Sequence, residues 1–246
     1  ELWPKWQTHD ATNKRTLDHR VWDEFLKSHV TVGEDGIHRV AYAKAATESK
    51  AALHAYLDSL RQAQVHKLNR AEQMAFWINL YNALTVRVVL DFHPVQSIRD
   101  INLGGSLFGS GPWDKKLIRI EGEMLSLNDI EHRILRPIWN EPRLHYVLNC
   151  AALGCPNLAR RAYRAASMEQ MLIRAAKAFV NHPRGLTIND GELTLSKIYS
   201  WYADDFGGEQ GVLTHLSAYA NSDTDTKLML SNGVSGYEYD WRINRS

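Results

Sequence analysis

Cysteine is nearly absent from this chain, with two residues, Cys150 and Cys155, in 246 positions. Two cysteines cannot build a cysteine-rich zinc site. The eleven histidines are dispersed, with no i, i+4 pair beside a carboxylate, so neither a metal nor a cofactor is expected. Charge of one sign is missing as well: 29 Lys and Arg stand against 28 Asp and Glu, a formal net charge of +1. The basic residues are scattered rather than interleaved with aromatics on one face, which excludes nucleic acid as the expected partner. The longest uncharged apolar-looking run, Gln73 to Val86, is interrupted by Asn79 and Asn82. It falls short of the roughly 20 apolar residues a bilayer requires, so no membrane span is expected. Internal repeats, low-complexity tracts and Pro/Ser-rich linkers are also lacking, which points to one folded unit over 1–246. The chain opens Glu1-Leu2-Trp3-Pro4 without a basic-then-apolar leader, as would a chain freed of a signal peptide or one simply trimmed.

What is present is core-forming material. Hydrophobic residues make up 44% of the chain, with eight Trp, ten Tyr and six Phe. Between Ala71 and about Leu90, apolar residues point in nearly every direction, which predicts a helix buried on all sides. Asn69, with Glu72 three residues later, reads as its N-cap and capping-box partner. A glycine-rich loop is expected from Gly104 to Gly111, closed by Pro112-Trp113. A strand follows around Ile118–Ile120, turning at Glu121-Gly122, and a helix starts at Ser126 to Asp129 and ends at Pro137. Leu144 to Asn149 reads as a β-strand, and Pro156 as the first turn of a helix capped by Cys155. Asn189-Asp190-Gly191 marks a hairpin turn. Helices and short strands interleave without a βαβ period. The expected class is α+β: a single domain with a long buried central helix packed against a small, mostly antiparallel sheet.

Polar residues inside apolar segments mark the candidate site. Glu72, Asn79 and Asn82 share a broad face of the central helix. A buried amide or carboxylate without a partner costs roughly 1–3 kcal/mol, so each either crosslinks backbone or lines a pocket. Glu131, three residues after Asn128, stands where a capping carboxylate belongs, and with His132 it also offers an acid/base pair. On a strand, Arg143, His145 and Asn149 would face one way, into a common polar space. Cys155 at a helix N-terminus would carry a lowered thiol pKa. Cys155 as nucleophile, His145 as base and Asn149 as orienter would form an acyl-transfer site, with Glu72, Asn79, Asn82, Glu131 and Arg143 binding substrate. The alternative is a Cys150–Cys155 disulfide that pins a short loop, leaving the same polar residues as crosslinks or a ligand pocket.

Several uncommon strings occur here in order: Ala75-Phe76-Trp77-Ile78-Asn79-Leu80-Tyr81-Asn82-Ala83; Ser126-Leu127 with Ile130-Glu131-His132; Pro142-Arg143 with His145; and Cys155-Pro156. Ser196-Lys197-Ile198 and Trp201-Tyr202 through Asp205-Phe206-Gly207 extend the pattern. Over about 68–206 the chain resembles the domain-of-unknown-function 547 family, and its flanks resemble the bacterial, exported branch. The resemblance implies a periplasmic or secreted protein but no general activity. A fold-level likeness to papain- and transglutaminase-type proteins would add a thiol-dependent hydrolase or acyl-transferase theme. The order is inverted here, because His145 precedes Cys155 and the long helix carries Asn79 where such folds carry their nucleophile. Two functions follow: that hydrolase, or a non-catalytic extracytoplasmic binding or scaffold module. The partner in either case is a small molecule or peptide.

Overall fold

The structure is a computed structural model that describes residues 1–103 and 111–246. The expected glycine-rich loop therefore lies, apart from Gly111, outside the described residues. The chain forms helices α1 (Arg20–His29), α2 (Tyr42–Glu48), α3 (Lys50–Arg61) and α4 (Arg70–Phe92). Strands β1 (Val30–Val32) and β2 (His38–Val40) form a first antiparallel pair, and β3 (Ile118–Ile120) and β4 (Glu123–Leu125) a second. Then come α5 (129–139), α6 (Met168–Val180), β5 (Leu186–Asn189), β6 (Glu192–Ser196), α7 (Ile198–Trp201), α8 (Gly208–Tyr219), α9 (Ser222–Met229) and β7 (Val234–Glu238). The class is α+β. The strands fall into three small sheets rather than one, and β7 joins β6 in parallel.

α4 is the helix read from the sequence. Its residues are buried without a break from Glu72 to Val86, because no face of it is polar enough to meet water. α2, α3 and α5 pack around it. Trp77, fully buried, meets Trp6 edge-to-face with ring centroids 5.0 Å apart. Asn69 caps the helix by accepting from Glu72 N at 3.0 Å. The reciprocal half of the capping box is absent, since the Glu72 carboxylate accepts instead from Leu17 N at 3.3 Å. Both tight hairpins turn where left-handed residues were expected: Glu121-Gly122 (φ 45° and 87°) and Asp190-Gly191 (φ 51° and 82°).

Two expected elements are replaced. The 144–149 run is not a strand: Pro142–Tyr146 is a 3-10 helix. Glu141 caps it by accepting from Arg143 N at 3.0 Å, and Pro142 holds a helical φ at its first position. The β-forming side chains Leu144 and Tyr146 are buried, but the backbone beyond them is claimed by Asn82 rather than by a neighbouring strand. Asn82 Nδ2 donates to Val147 O at 2.9 Å, and Asn149 N donates to Asn82 Oδ1 at 2.8 Å. No helix starts at Pro156 either. The Pro156 carbonyl, which would begin a helical ladder, accepts from Asn149 Nδ2 at 2.8 Å.

Candidate functional site

The cleft that gathers the polar islands has a volume of about 220 Å³. Its polar side is made by α5. Ser126 and Asp129 form the capping box at the start of this helix: Asp129 N donates to Ser126 Oγ at 3.1 Å, and Ser126 N to Asp129 Oδ2 at 2.8 Å. Glu131 is thereby released from the capping role that its spacing to Asn128 suggested. Residues Asp129–Leu135 then adopt the wide π-helical turn, a conformation frequent at functional sites. Glu131 and His132 both line the cleft.

A linked array follows. Arg136, one turn beyond His132, holds Asp205 through Nε at 2.6 Å and Nη2 at 2.9 Å, and its Nη1 donates to His132 Nδ1 at 2.9 Å. Asp205 comes from the 3-10 turn Ala203–Phe206, closed by Gly207 in the left-handed region. It also accepts from His145 Nε2 at 2.7 Å. Burial pushes the Asp205 carboxyl up, but the bonds from His145 and Arg136 outweigh it and hold the group well below the usual carboxylate range. An ionised carboxylate only accepts, so Nε2 of His145 carries the proton. Burial, reinforced by the Arg136 charge, holds His132 below the ordinary imidazole value although Glu131 pulls the other way. His145 is buried and stacks on Tyr202, with centroids 4.0 Å apart and planes 15° from parallel.

Glu131 is only 6% exposed and accepts from the Tyr81 hydroxyl at 3.0 Å. Trp113, Trp201, Tyr239 and Trp241 line the same cleft. Trp201, Tyr239 and Trp241 pack together with centroids 4.7–5.7 Å apart and planes tilted 36–57°. Residues 239–246 run as a strap over the Cys150–Cys155 loop: Leu153 N donates to Arg242 O and Gly154 N to Asp240 O, both at 2.8 Å. The approach requires glycine at 154, where a Cβ would come within 2.7 Å of Asp240 N.

Cys150 and Cys155 are joined in a disulfide, Cα to Cα 6.2 Å, on the cleft lining. Cys155 is therefore neither at a helix N-terminus nor a free thiol. The Tyr239 hydroxyl lies 2.9 Å from Cys150 Sγ and 3.1 Å from Cys155 Sγ.

Of the residues singled out from sequence, Glu131, His132, His145, Cys150 and Cys155 meet in this cleft. Glu72, Asn79, Asn82, Arg143 and Asn149 do not line it. Glu72 binds the N-terminal segment. Asn79 clamps Tyr163, donating to its O and accepting from its N at 2.8 Å each. Asn82 clamps 147–149. Asn149 ties Pro156 O and Ala151 N, so it does not share a face with His145. Arg143 pairs with Glu141 and Glu169 at 2.7 Å each. Sequence reading missed Tyr81, Arg136 and Asp205, and the aromatic wall. Arg136 carried one signal: it stands four residues after His132, on the same helical face. Among the described residues, no group of three or more His, Cys, Asp or Glu is placed to hold a metal ion, and no helix is long and apolar enough to cross a membrane.

Fold and site together define an α+β protein with a cleft lined by aromatic rings, a disulfide and His145, the last backed by the half-buried Asp205–Arg136 pair. Residues 65–180 match the model of the family described as "Protein of unknown function, DUF547". Searches of curated proteins and of solved structures gave no match.

Proposed function

We propose that this chain is a binding module whose cleft takes a small organic molecule or a short peptide segment. The observation that carries this reading is the joining of both sulfurs in a disulfide beneath an aromatic wall. The position expected to hold a nucleophile is closed, while stacking surface and hydrogen-bonding groups stay available. The asparagines expected to assist catalysis are spent on backbone crosslinks, which agrees with a scaffold that holds the cleft in shape. One folded unit over 1–246 accords with this, since the strap residues bond back to Val40, Gln96 and the 151–154 loop. A disulfide is kept in oxidising compartments, which supports a periplasmic or secreted location and the exported branch of the family.

Ligand-detected NMR with a library of small organic molecules and dipeptides tests the reading. Hits should lose binding in Trp201→Ala and Trp241→Ala. A set of hits indifferent to both substitutions would refute it.

One observation favours a second reading, a thiol-dependent acyl-transfer site unmasked by reduction. Cys155 Sγ accepts from Cys150 N at 3.0 Å and from the Tyr239 hydroxyl, and two such donors would stabilise a thiolate. His145 lines the same cleft. Iodoacetamide labelling after mild reduction discriminates the two: rapid alkylation of Cys155 near neutral pH supports the thiol site, and slow, equal alkylation of both cysteines supports the binding module.

A further inference from the structure

The cleft holds one buried carboxylate, Glu131, that among the described residues has no Lys or Arg at ion-pair distance and feels only the more distant charge of Arg136. Asp205 is matched by the Arg136 fork and by His145 Nε2–H. Arg136 turns its Nη1 to His132 Nδ1. Glu131, nearly as buried as a core residue, receives instead the hydroxyl of Tyr81 and sits beside that of Tyr202. Its nearest basic group is His132 Nδ1 at 4.0 Å, an imidazole that burial and Arg136 keep neutral. The segment outside the described residues, 104–110, contains no Lys, Arg or His. Burying a carboxylate without a cation at ion-pair distance is costly, and a site built this way favours a ligand that brings a positive charge into direct contact.

The same cleft carries a surface suited to that charge. The rings of Trp201, Tyr239 and Trp241 are tilted 36–57° to one another, and aromatic π faces attract cations, quaternary and primary ammonium groups included. Glu131 is close enough to this wall for its charge to help raise the Tyr239 phenol above its usual range, after burial itself. Arg99 lies over Trp241 at 5.1 Å and is not among the cleft residues, so a ring of this wall already takes one cation. A volume of about 220 Å³ suits a head group with a few attached carbons better than an extended polymer.

We propose that the cleft binds an organic ammonium group, its positive head seated between the Glu131 carboxylate and the Trp201–Tyr239–Trp241 wall. The inference rests on the binding-module reading and names the ligand class. An anionic ligand would meet Glu131 head-on, and a neutral one would leave its charge unanswered.

Isothermal titration calorimetry on the intact, oxidised chain tests this with four probes. Choline represents a free methylated ammonium, and N-acetyl-lysine methylamide the same chemistry on a peptide. Each is paired with its neutral isostere, with carbon in place of the charged nitrogen. At least one ammonium probe should bind about tenfold tighter than its isostere, and which pair shows the preference identifies the source. Glu131→Gln should erase the preference and leave the isostere's affinity in place, with circular dichroism confirming the fold. Trp241→Ala should weaken the ammonium probe about tenfold. If each isostere binds as tightly as its cation to the unaltered protein, a comparison that needs no variant, the ammonium proposal fails while the binding module stands. Failure of all four probes to bind at millimolar concentration also overturns the proposal. The library screen described above then decides the binding reading on its own.

Discussion

Asn82→Ala tests the physical account of why the 144–149 run is not a strand. The Asn82 amide makes two bonds to buried backbone, one to the Val147 carbonyl at 2.9 Å and one from the Asn149 amide at 2.8 Å. Alanine leaves a carbonyl and an N–H orphaned in a region without access to water. Each orphaned group costs about 1–3 kcal/mol, so the loss should fall at about 2–6 kcal/mol, centred near 4. That is a large part of the 5–15 kcal/mol that holds a typical domain folded. Equilibrium urea unfolding followed by tryptophan fluorescence measures it, with an unchanged slope showing that the unfolded state is unaltered. Asn82→Asp should lie between the two, since it keeps the acceptor for Asn149 N–H and sets a carboxylate against the Val147 carbonyl. Asn79→Ala, which frees the two Tyr163 backbone groups, should match Asn82→Ala in size. A loss below about 1 kcal/mol for both alanine variants would refute the crosslink account, because buried groups cannot be orphaned that cheaply.

Further outcomes are expected elsewhere in the chain. Trp77→Ala, at a fully buried site against Trp6, should cost about 3–5 kcal/mol in the same urea assay. Thiol titration of the non-reduced protein should find no free thiol, native or unfolded; Cys150→Ser and Cys155→Ser should each lose about 2 kcal/mol, the value for a loop of five residues. Burial holds His19 and His215 at about 4, against 6.5 in an unfolded chain, so the unfolded state takes up protons first. The stability they confer is complete above pH 6.5 and is lost as the pH falls toward 4, up to about 3 kcal/mol for each. Unfolding midpoints at pH 7 and pH 4.5 should differ accordingly, and His19→Gln should narrow the gap.

The parts of the molecule legible from sequence are those whose cause is local. α4 announces itself because apolar side chains surround it, and the hairpins because Glu121-Gly122 and Asp190-Gly191 stand where left-handed residues are needed. Glu131, His145 and the two cysteines were visible as dense polar strings. The errors arose where one local signal had two competing explanations. Leu144–Asn149 has strand composition, but Glu141-Pro142 starts a helical turn and a distant amide takes the backbone that a ladder would use. Asn128 and Glu131 have capping-box spacing, but so do Ser126 and Asp129, and the latter pair holds the helix end. Asp205 joins His145 across 60 residues, and Tyr239 and Trp241 enter on a strap without periodicity. No pattern of spacing reports such contacts, since they depend on how the chain folds back.

The strap has a consequence for how this cleft can change. Tyr81, Glu131, His132, His145 and the disulfide all belong to the 65–180 segment that matches the family. Trp201, Tyr202, Asp205, Tyr239 and Trp241 lie beyond it. Glu131 and most of the ring-bearing wall are thus encoded in separate stretches, which meet through the backbone bonds at Leu153 and Gly154, the Asp205 link, the His145–Tyr202 stack and the Tyr239 hydroxyl at the disulfide. Substitutions in the strap can reshape what the wall accepts while leaving Glu131 and its phenol partner Tyr81 untouched. On the binding reading proposed above, the choice of ligand and the charge that holds it fall to separate stretches of sequence.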